Sequence, residues 1–289
     1  MGRASAVIIR TLRMHKVALF NGEFIDAADA NIDALSAAAL YGRGVFTTIA
    51  IYDGEPFLLD RHLNRLRSNS VTVGLKYHDE EFECLEKQLN ELITRNSVSD
   101  CRARVTLFDG SASELWTNKR EDRIHSLIVT GEQRQIPVEL KLTISPFTVN
   151  SNSPLAGVKS CNYLENILAA DEAKERGFDD AVRSNERGEI ASACMANVFW
   201  LKGNELFTPV LETGCLAGTT REFVLENFDC HQVKIGLGEL KSADFIFLTS
   251  AGIGIRQVTA FEKREFDRSD HEILKLLPPV DKKTRMSAK

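Results

Sequence analysis

Apolar residues in the first part of the chain come in short runs broken by glycine-bearing turns, and only later settle into helical spacing. Residues 17–25 read as a small hairpin, VALF turning at Asn21-Gly22 into EFI. Residues 46–59 repeat the pattern, with FTTIAIY turning at Asp53-Gly54 into EPFLL. From about Asp60 the period lengthens. Leu59, Leu63 and Leu66 line one helical face, while Arg61 and Arg65 share another. Residues 79–94 form the clearest amphipathic helix, with Phe82, Leu85, Leu89, Leu92 and Ile93 facing inward. Its acids bunch at the start, where the helix dipole favours them. CRARVTLF and HSLIVT read as strands, and the polar stretch between them as a candidate substrate loop.

The second half repeats this mixture. VELKLTISPF opens it as a strand, and helical spacing returns at Leu164, Ile167, Leu168 and Ala169. Residues 181–192 and the run SACMANVFWLKGNELFTP each predict a hairpin. GCLAGTTREFVLENF turns between Gly214 and Gly218 into a helix that begins at Thr219 and Thr220. ADFIFLTSAGIGIRQV is a buried strand entering a glycine-bearing loop. The expected class is α/β in two domains, 17–130 and 138–275, joined by a linker at 131–137. Residues 1–16 form an N-terminal extension and 276–289 a basic tail.

Composition narrows the function classes. With 289 residues, 43% hydrophobic and 27% charged, the chain can bury a sizeable core in each of two domains. A net charge of −5 gives no electrostatic reason to expect nucleic acid or an anionic membrane as partner. No apolar run approaches the roughly 20 residues of a membrane span. The basic start lacks a sustained apolar region, so it does not read as a signal peptide. The six cysteines form no C-x-x-C pair and stand at no zinc spacing, which points to reduced thiols in a cytoplasmic protein without a metal site.

Candidate chemistry centres on VKSCNYLENIL. Lys159 follows a loop-like run and precedes the helical spacing, where partial burial would favour a neutral, nucleophilic amine. Alone, it reads rather as a solvated lysine in a helix's first turn. Arg61 and Arg65 read as a solvated face or as a phosphate clamp, with His62 structural beside them. The Gly218–Thr220 turn is a capped helix start or an anion site. Gly42 and Gly44 around Arg43 read as a turn.

Taken together and in order, YGRGVF, HLNRL, VKSCNYLENILA, MANVFW and LAGTTR resemble the class IV aminotransferase family, the pyridoxal-phosphate enzymes of fold type IV, over residues 17–261. That family includes branched-chain aminotransferases, D-amino acid transaminases and 4-amino-4-deoxychorismate lyases. The resemblance implies two α/β domains with pyridoxal 5′-phosphate in the cleft between them, usually in a homodimer. It makes Lys159 the Schiff-base lysine and Arg65 the phosphate arginine, and it puts the Thr219 and Thr220 amides on the same phosphate. Tyr41 and the Ser250-Ala251-Gly252 loop would line the substrate side.

Two departures bear on the reaction. The family's glutamate opposite the pyridine nitrogen falls five residues before Asn197, which here is Ser192. Glu189, three positions away, would lie on the opposite strand face unless a bulge intervenes. A hydroxyl there leaves the ring a weaker electron sink, which tilts the reading from transamination toward elimination. The second departure is Asp109, at a strand end where D-amino acid transaminases carry a carboxylate-binding arginine; an acid there would repel a carboxylate. Arg43 and Arg104 remain as carboxylate candidates. SACMANVFW looks most like the lyase branch, whose products are 4-aminobenzoate and pyruvate. The alternatives are a branched-chain or D-amino acid transaminase and a catalytically degenerate cofactor-binding protein.

Overall fold

The computed structural model describes residues 14–112, 123–133, 137 and 139–277. Most of the expected extension, most of the substrate loop, part of the linker and most of the tail lie outside the described residues.

The first half contributes β1 (Val17–Phe20), β2 (Glu23–Asp26), α1 (Ala37–Tyr41), β3 (Gly44–Tyr52), β4 (Glu55–Pro56), α2 (Leu59–Thr72), α3 (Asp79–Arg95), β5 (Cys101–Asp109) and β6 (Ile124–Gly131). Its strands form one antiparallel sheet in the order β2-β1-β6-β5-β3-β4. Both hairpins turn at the expected Asn21-Gly22 and Asp53-Gly54 pairs. Strand parity then gives the sheet two different faces. Val45, Ile49 and Ile51 of β3 and Cys101, Ala103, Val105 and Leu107 of β5 share a buried core with Leu66 of α2 and Phe82, Leu85, Leu89, Leu92 and Ile93 of α3. The alternate residues pair across the ladder as Phe46 with Thr106, Thr48 with Arg104 and Ala50 with Arg102. That second face carries the cleft.

The second half contributes β7 (Lys141–Ile144), α4 (Leu164–Glu175), β8 (Asp180–Ser184), β9 (Ile190–Ala193), β10 (Asn197–Lys202), β11 (Glu205–Pro209), α5 (Thr219–Asn227), β12 (Cys230–Val233), α6 (Gly238–Ser242), β13 (Phe245–Ser250), β14 (Gly254–Gln257), β15 (Ala260–Phe261) and β16 (Arg264–Glu265). They build two mixed sheets, β12-β11-β10-β13-β14 and β16-β15-β7-β8-β9. The middle of β10, Val198 to Leu201, is apolar because both its faces are covered. Val198 and Trp200 pack with Leu142 and Val182 of the neighbouring sheet, while Phe199 and Leu201 pack with Val224 of α5.

One helix departs from its expected orientation. Of the stripe Leu164, Ile167, Leu168 and Ala169 on α4, only Ala169 is buried, and the other three are 64%, 43% and 52% exposed. The buried face is Ala169, Ala170 and Ala173, packed on Ala181 and Cys194. Small side chains let the helix lie close to β8 and leave the larger apolar residues outward.

Candidate active site

Lys159 is not in a helix's first turn. It lies five residues before α4, in a short segment that pairs with the start of β3. Phe46 N donates to Lys159 O at 2.9 Å, Cys161 N donates to Gly44 O at 2.8 Å, and Val45 bridges Ser160. This close approach explains the YGRGVF motif. A Cβ on Gly44 would come within 3.0 Å of Cys161 Sγ, Leu107 O and Phe108 Cβ, and Asn162 donates to Gly42 O at 3.1 Å.

The amine of Lys159 points over aromatic rings, 4.6 Å from the Phe46 centroid and 5.0 Å from that of Tyr163. Burial, then the charges of Arg65 and Arg104, bring its pKa from the ordinary 10.5 to about 7. The surrounding cavity measures about 430 Å³ and is lined from both halves of the chain. Lys159, Arg65, Ser192, Thr219, Thr220, Arg104, Ser250 and Ala251 all line it; Tyr41 and Arg43 do not.

α2 brings Arg65 but not Arg61. Arg61 is held outside by Glu226 at 2.6 Å and by the Phe223 ring. Arg65 donates to Ala217 O at 3.1 Å and to Thr47 Oγ1 at 2.9 Å, and its Nε is buried without a hydrogen-bond partner. Burial lowers its pKa to about 10, partly offset by Glu222. His62, set aside in the sequence as structural, bridges Thr47 Oγ1 at 2.7 Å and Thr219 Oγ1 at 3.1 Å. The turn before α5 is held by Asn197, whose Nδ2 donates to Leu216 O at 2.8 Å. A Cβ on Gly218 would come within 2.0 Å of Asn197 Oδ1, which is why MANVFW and LAGTTR go together.

Ser192 lies directly across the ladder from Arg183. Arg183 is buried and donates to Thr148 O at 2.8 Å and to Glu165 at 3.3 Å. Ser192, Arg183 and Lys159 line a second cavity that shares Lys159 and Ser192 with the first. The bulge that could have turned Glu189 inward is present, since Arg183 pairs with Ser192 but Ser184 with Ile190. Glu189 nevertheless lines neither cavity. It is bound by Asn185 at 2.7 Å and Arg187 at 2.8 Å.

Two substrate-side expectations change. Asp109 does not face the cleft, because odd-numbered residues of β5 point to the helix side. It pairs with Arg43 at 2.8 Å, and Arg43 also donates to Gly74 O at 2.6 Å. The two therefore neutralise each other away from the cavity, and the repulsion argument falls. Tyr41 is 53% exposed on α1. The cleft face of β5 instead offers Arg104, 3.6 Å from the Phe46 centroid, and Arg102, which donates to Gly252 O. Arg102 was legible as the residue two before Arg104 on the same strand face. Among the described residues no cluster of His, Cys, Asp or Glu could hold a metal ion.

The comparisons with known proteins agree with this geometry. A family model described as amino-transferase class IV matches residues 44–261. The chain is 30% identical over 272 residues to the aminodeoxychorismate lyase of Bacillus subtilis (strain 168), covering 91% of this chain and 92% of that protein. It is 27% identical over 268 residues to the putative branched-chain-amino-acid aminotransferase of Methanocaldococcus jannaschii, covering 84% and 87%. Among solved structures, the branched-chain aminotransferase of Thermoproteus uzoniensis with norvaline superposes with a TM-score of 0.84 at 26% identity, covering 91% and 92% of the two chains. The putative 4-amino-4-deoxychorismate lyase of Legionella pneumophila shares the fold, with a TM-score of 0.80 at 24% identity, covering 86% and 94%. The interlocked motifs around Lys159 all fall within or beside the matched span, and the chain belongs to the class IV aminotransferases, a family of enzymes with this α/β fold.

Proposed function

We propose that the protein is a pyridoxal-5′-phosphate enzyme with 4-amino-4-deoxychorismate lyase activity, releasing 4-aminobenzoate and pyruvate. The observation that carries the reading is a buried amine with a pKa of about 7 beside a cationic cradle. The residues fit the cofactor. Arg65 Nε and Thr249 Oγ1, both on cavity-lining residues, are buried without hydrogen-bond partners. Arg65 and the start of α5 at Thr219 and Thr220 would hold the phosphate, and Lys159 would bind the aldehyde. Bound, the cofactor supplies a carbonyl that captures amines and a ring that withdraws electrons.

Once the substrate amine has displaced it, Lys159 would act as the base. With a pKa of about 7, a large share of its Nζ is unprotonated at neutral pH, and it would take the proton from the substrate's Cα and deliver one to the departing group. Arg104, Arg102 and the Ser250-Ala251-Gly252 loop would receive the carboxylates of the substrate. Ser192 is the residue that the family pattern sets opposite the pyridine nitrogen. Across the ladder from it the buried Arg183 offers only donors, and a hydroxyl beside a guanidinium is a weaker partner for a protonated ring nitrogen than a carboxylate. This favours expulsion of a β-substituent over the return of a proton to the cofactor.

The apolar lining contributed by Phe46, Leu140, Leu216, Leu248 and Ile253 supports the second reading, a branched-chain or D-amino acid transaminase. Pyruvate release from aminodeoxychorismate, with Lys159→Ala as control, separates the readings. Release above the control supports the lyase. Conversion of the cofactor to its amine form by amino acids alone supports the transaminase, and cofactor binding with neither reaction supports a degenerate protein.

We also infer two domains, 17–130 and 138–275, and a homodimer in the cytoplasm. Leu164, Ile167 and Leu168 of α4 and Leu40 and Tyr41 of α1 are exposed, and the Asn162–Gly42 hydrogen bond ties together the segments that precede α4 and follow α1. An apolar patch of this kind suits a second copy. No helix among the described residues is long and apolar enough to cross a membrane.

A further inference from the structure

At the Arg65 end of the cavity, a chain of side-chain hydrogen bonds has a direction that donor counts determine. Arg65 Nη2 lies 2.9 Å from Thr47 Oγ1, and a guanidinium can only donate. Thr47 Oγ1 also lies 2.7 Å from His62 Nδ1, and His62 Nε2 lies 3.1 Å from Thr219 Oγ1. Thr47, His62 and Thr219 are 0%, 1% and 2% exposed, so water does not complete these bonds. Burial, reinforced by Arg65 and Lys159, lowers the His62 pKa well below 6.5 and keeps the ring neutral at physiological pH.

A neutral imidazole carries one N–H, which leaves two arrangements. With the hydrogen on Nδ1, the Thr47 oxygen would accept twice and its own hydroxyl hydrogen would need another acceptor. The hydrogen bonds among the described residues contain none for it. Thr219 would then donate to Nε2 and turn only lone pairs toward the cavity. With the hydrogen on Nε2, the Thr47 hydroxyl and both ring nitrogens of His62 are satisfied. Arg65 donates to Thr47, Thr47 donates to Nδ1, and Nε2–H donates to Thr219. The Thr219 hydroxyl hydrogen is left over, on a residue that lines the cavity together with Arg65.

We propose that His62 is a positioning residue of the anion site: as the Nε2–H tautomer it fixes the Thr219 hydroxyl as a donor toward a bound phosphate group. The proposal rests on the cofactor reading given above but goes beyond it. The Arg65 guanidinium and the amides at the start of α5 would hold a phosphate without any role for His62.

The test uses full-length apoprotein titrated separately with pyridoxal 5′-phosphate and with pyridoxal. Loss of one charge-assisted hydrogen bond predicts that His62→Leu weakens the phosphate ester about tenfold or more and leaves pyridoxal unchanged. His62→Gln, whose side-chain amide can donate in place of Nε2–H, retains most of the affinity. In a Thr219→Val background, His62→Leu adds no further loss. Nitrogen-15 NMR of histidine-labelled protein, with the His62 signal assigned by its absence from His62→Gln, reports the Nε2–H tautomer. Equal losses for both ligands, additive losses in the double variant, or an Nδ1–H or doubly protonated ring at neutral pH would overturn the proposal. If the wild type does not distinguish the two ligands, the phosphate reading fails, and the His62 spectrum still decides the direction of the chain.

Discussion

Replacing Arg104 by methionine should raise the pKa of Lys159, and the structure sets the size of the change. Arg104 Cζ lies 3.6 Å and Lys159 Nζ 4.6 Å from the same Phe46 ring centroid, so the two cations are at most about 8 Å apart. At that separation, with an effective dielectric constant of ~20, like charges repel by about 2 kcal/mol. At about 1.36 kcal/mol per pH unit this is roughly 1.5 units. The Lys159 midpoint should therefore move from about 7 toward roughly 8.5. Water entering the vacated space would push it the same way, by relieving the burial that is the larger cause of the depression. The assay traps the apoprotein amine with a small aldehyde lacking phosphate, such as pyridine-4-carboxaldehyde, under mild reduction. The rate of modification at Lys159 is read by mass spectrometry across pH. Methionine keeps most of the side-chain bulk, so collapse of the cleft does not mimic the effect. An unchanged midpoint would refute the idea that neighbouring cations help tune this amine.

Lys159 should also tax the fold at low pH. Its folded pKa of about 7 lies below the ordinary 10.5, so the unfolded chain binds the extra proton between these values and stability rises as pH climbs through the window. Lys159→Met should abolish that rise and stabilise the apoprotein near pH 7 by on the order of 4–5 kcal/mol, as read by urea denaturation across pH; parallel curves for the two proteins would contradict the burial argument. Gly218→Ala forces a Cβ to within 2.0 Å of Asn197 Oδ1. It should cost about 1–3 kcal/mol and weaken cofactor binding, and a variant neutral in both respects would dissociate the two motifs. Asp109→Asn removes the charge opposite Arg43, which keeps its bonds to Val73 O and Gly74 O, and should cost about 1–2 kcal/mol of stability while leaving cofactor affinity unchanged, whereas a substrate-side Asp109 would alter turnover without destabilising. Ser192→Glu sets a carboxylate across the ladder from Arg183 and should increase amino-group exchange with 2-oxo acids; no gain would remove residue 192 as the determinant of the reaction.

Where periodicity alone decides the outcome, the sequence was enough. The inward face of α3 and both two-residue hairpin turns follow from spacing, because one face of each element is buried and any slip would expose it. The interior of the site was harder to see, since strand parity had to be combined with the identity of the neighbouring layer. Arg104 and Asp109 are both polar residues on β5, yet one faces the cleft and the other the helix layer. α4 misled for another reason. Its leucines and isoleucine have core spacing, but the alanines allow the close approach that seats the helix, and residue size rather than hydrophobicity chose the buried face. His62 left no signal, because a histidine among arginines on a helix says nothing of two threonines that reach it from β3 and α5.

The recognisable motifs turn out to be two halves of two contacts. Gly42 and Gly44 lack side chains where Asn162 and Cys161 press against them, and Gly218 lacks one where Asn197 does. The first contact joins the start of β3 to the segment carrying Lys159. The second joins β10 to the turn that faces Arg65. Neither motif residue touches the amine, but each contact fixes the backbone from which a reactive or anion-binding group projects. A lysine brought to neutrality by burial needs such fixing, because a buried cation gains by swinging out to water and a loose segment would let it do so. The glycines and asparagines around Lys159 and Arg65 are thus what keep the amine buried, and its low pKa is a consequence of that packing as much as of its charged neighbours.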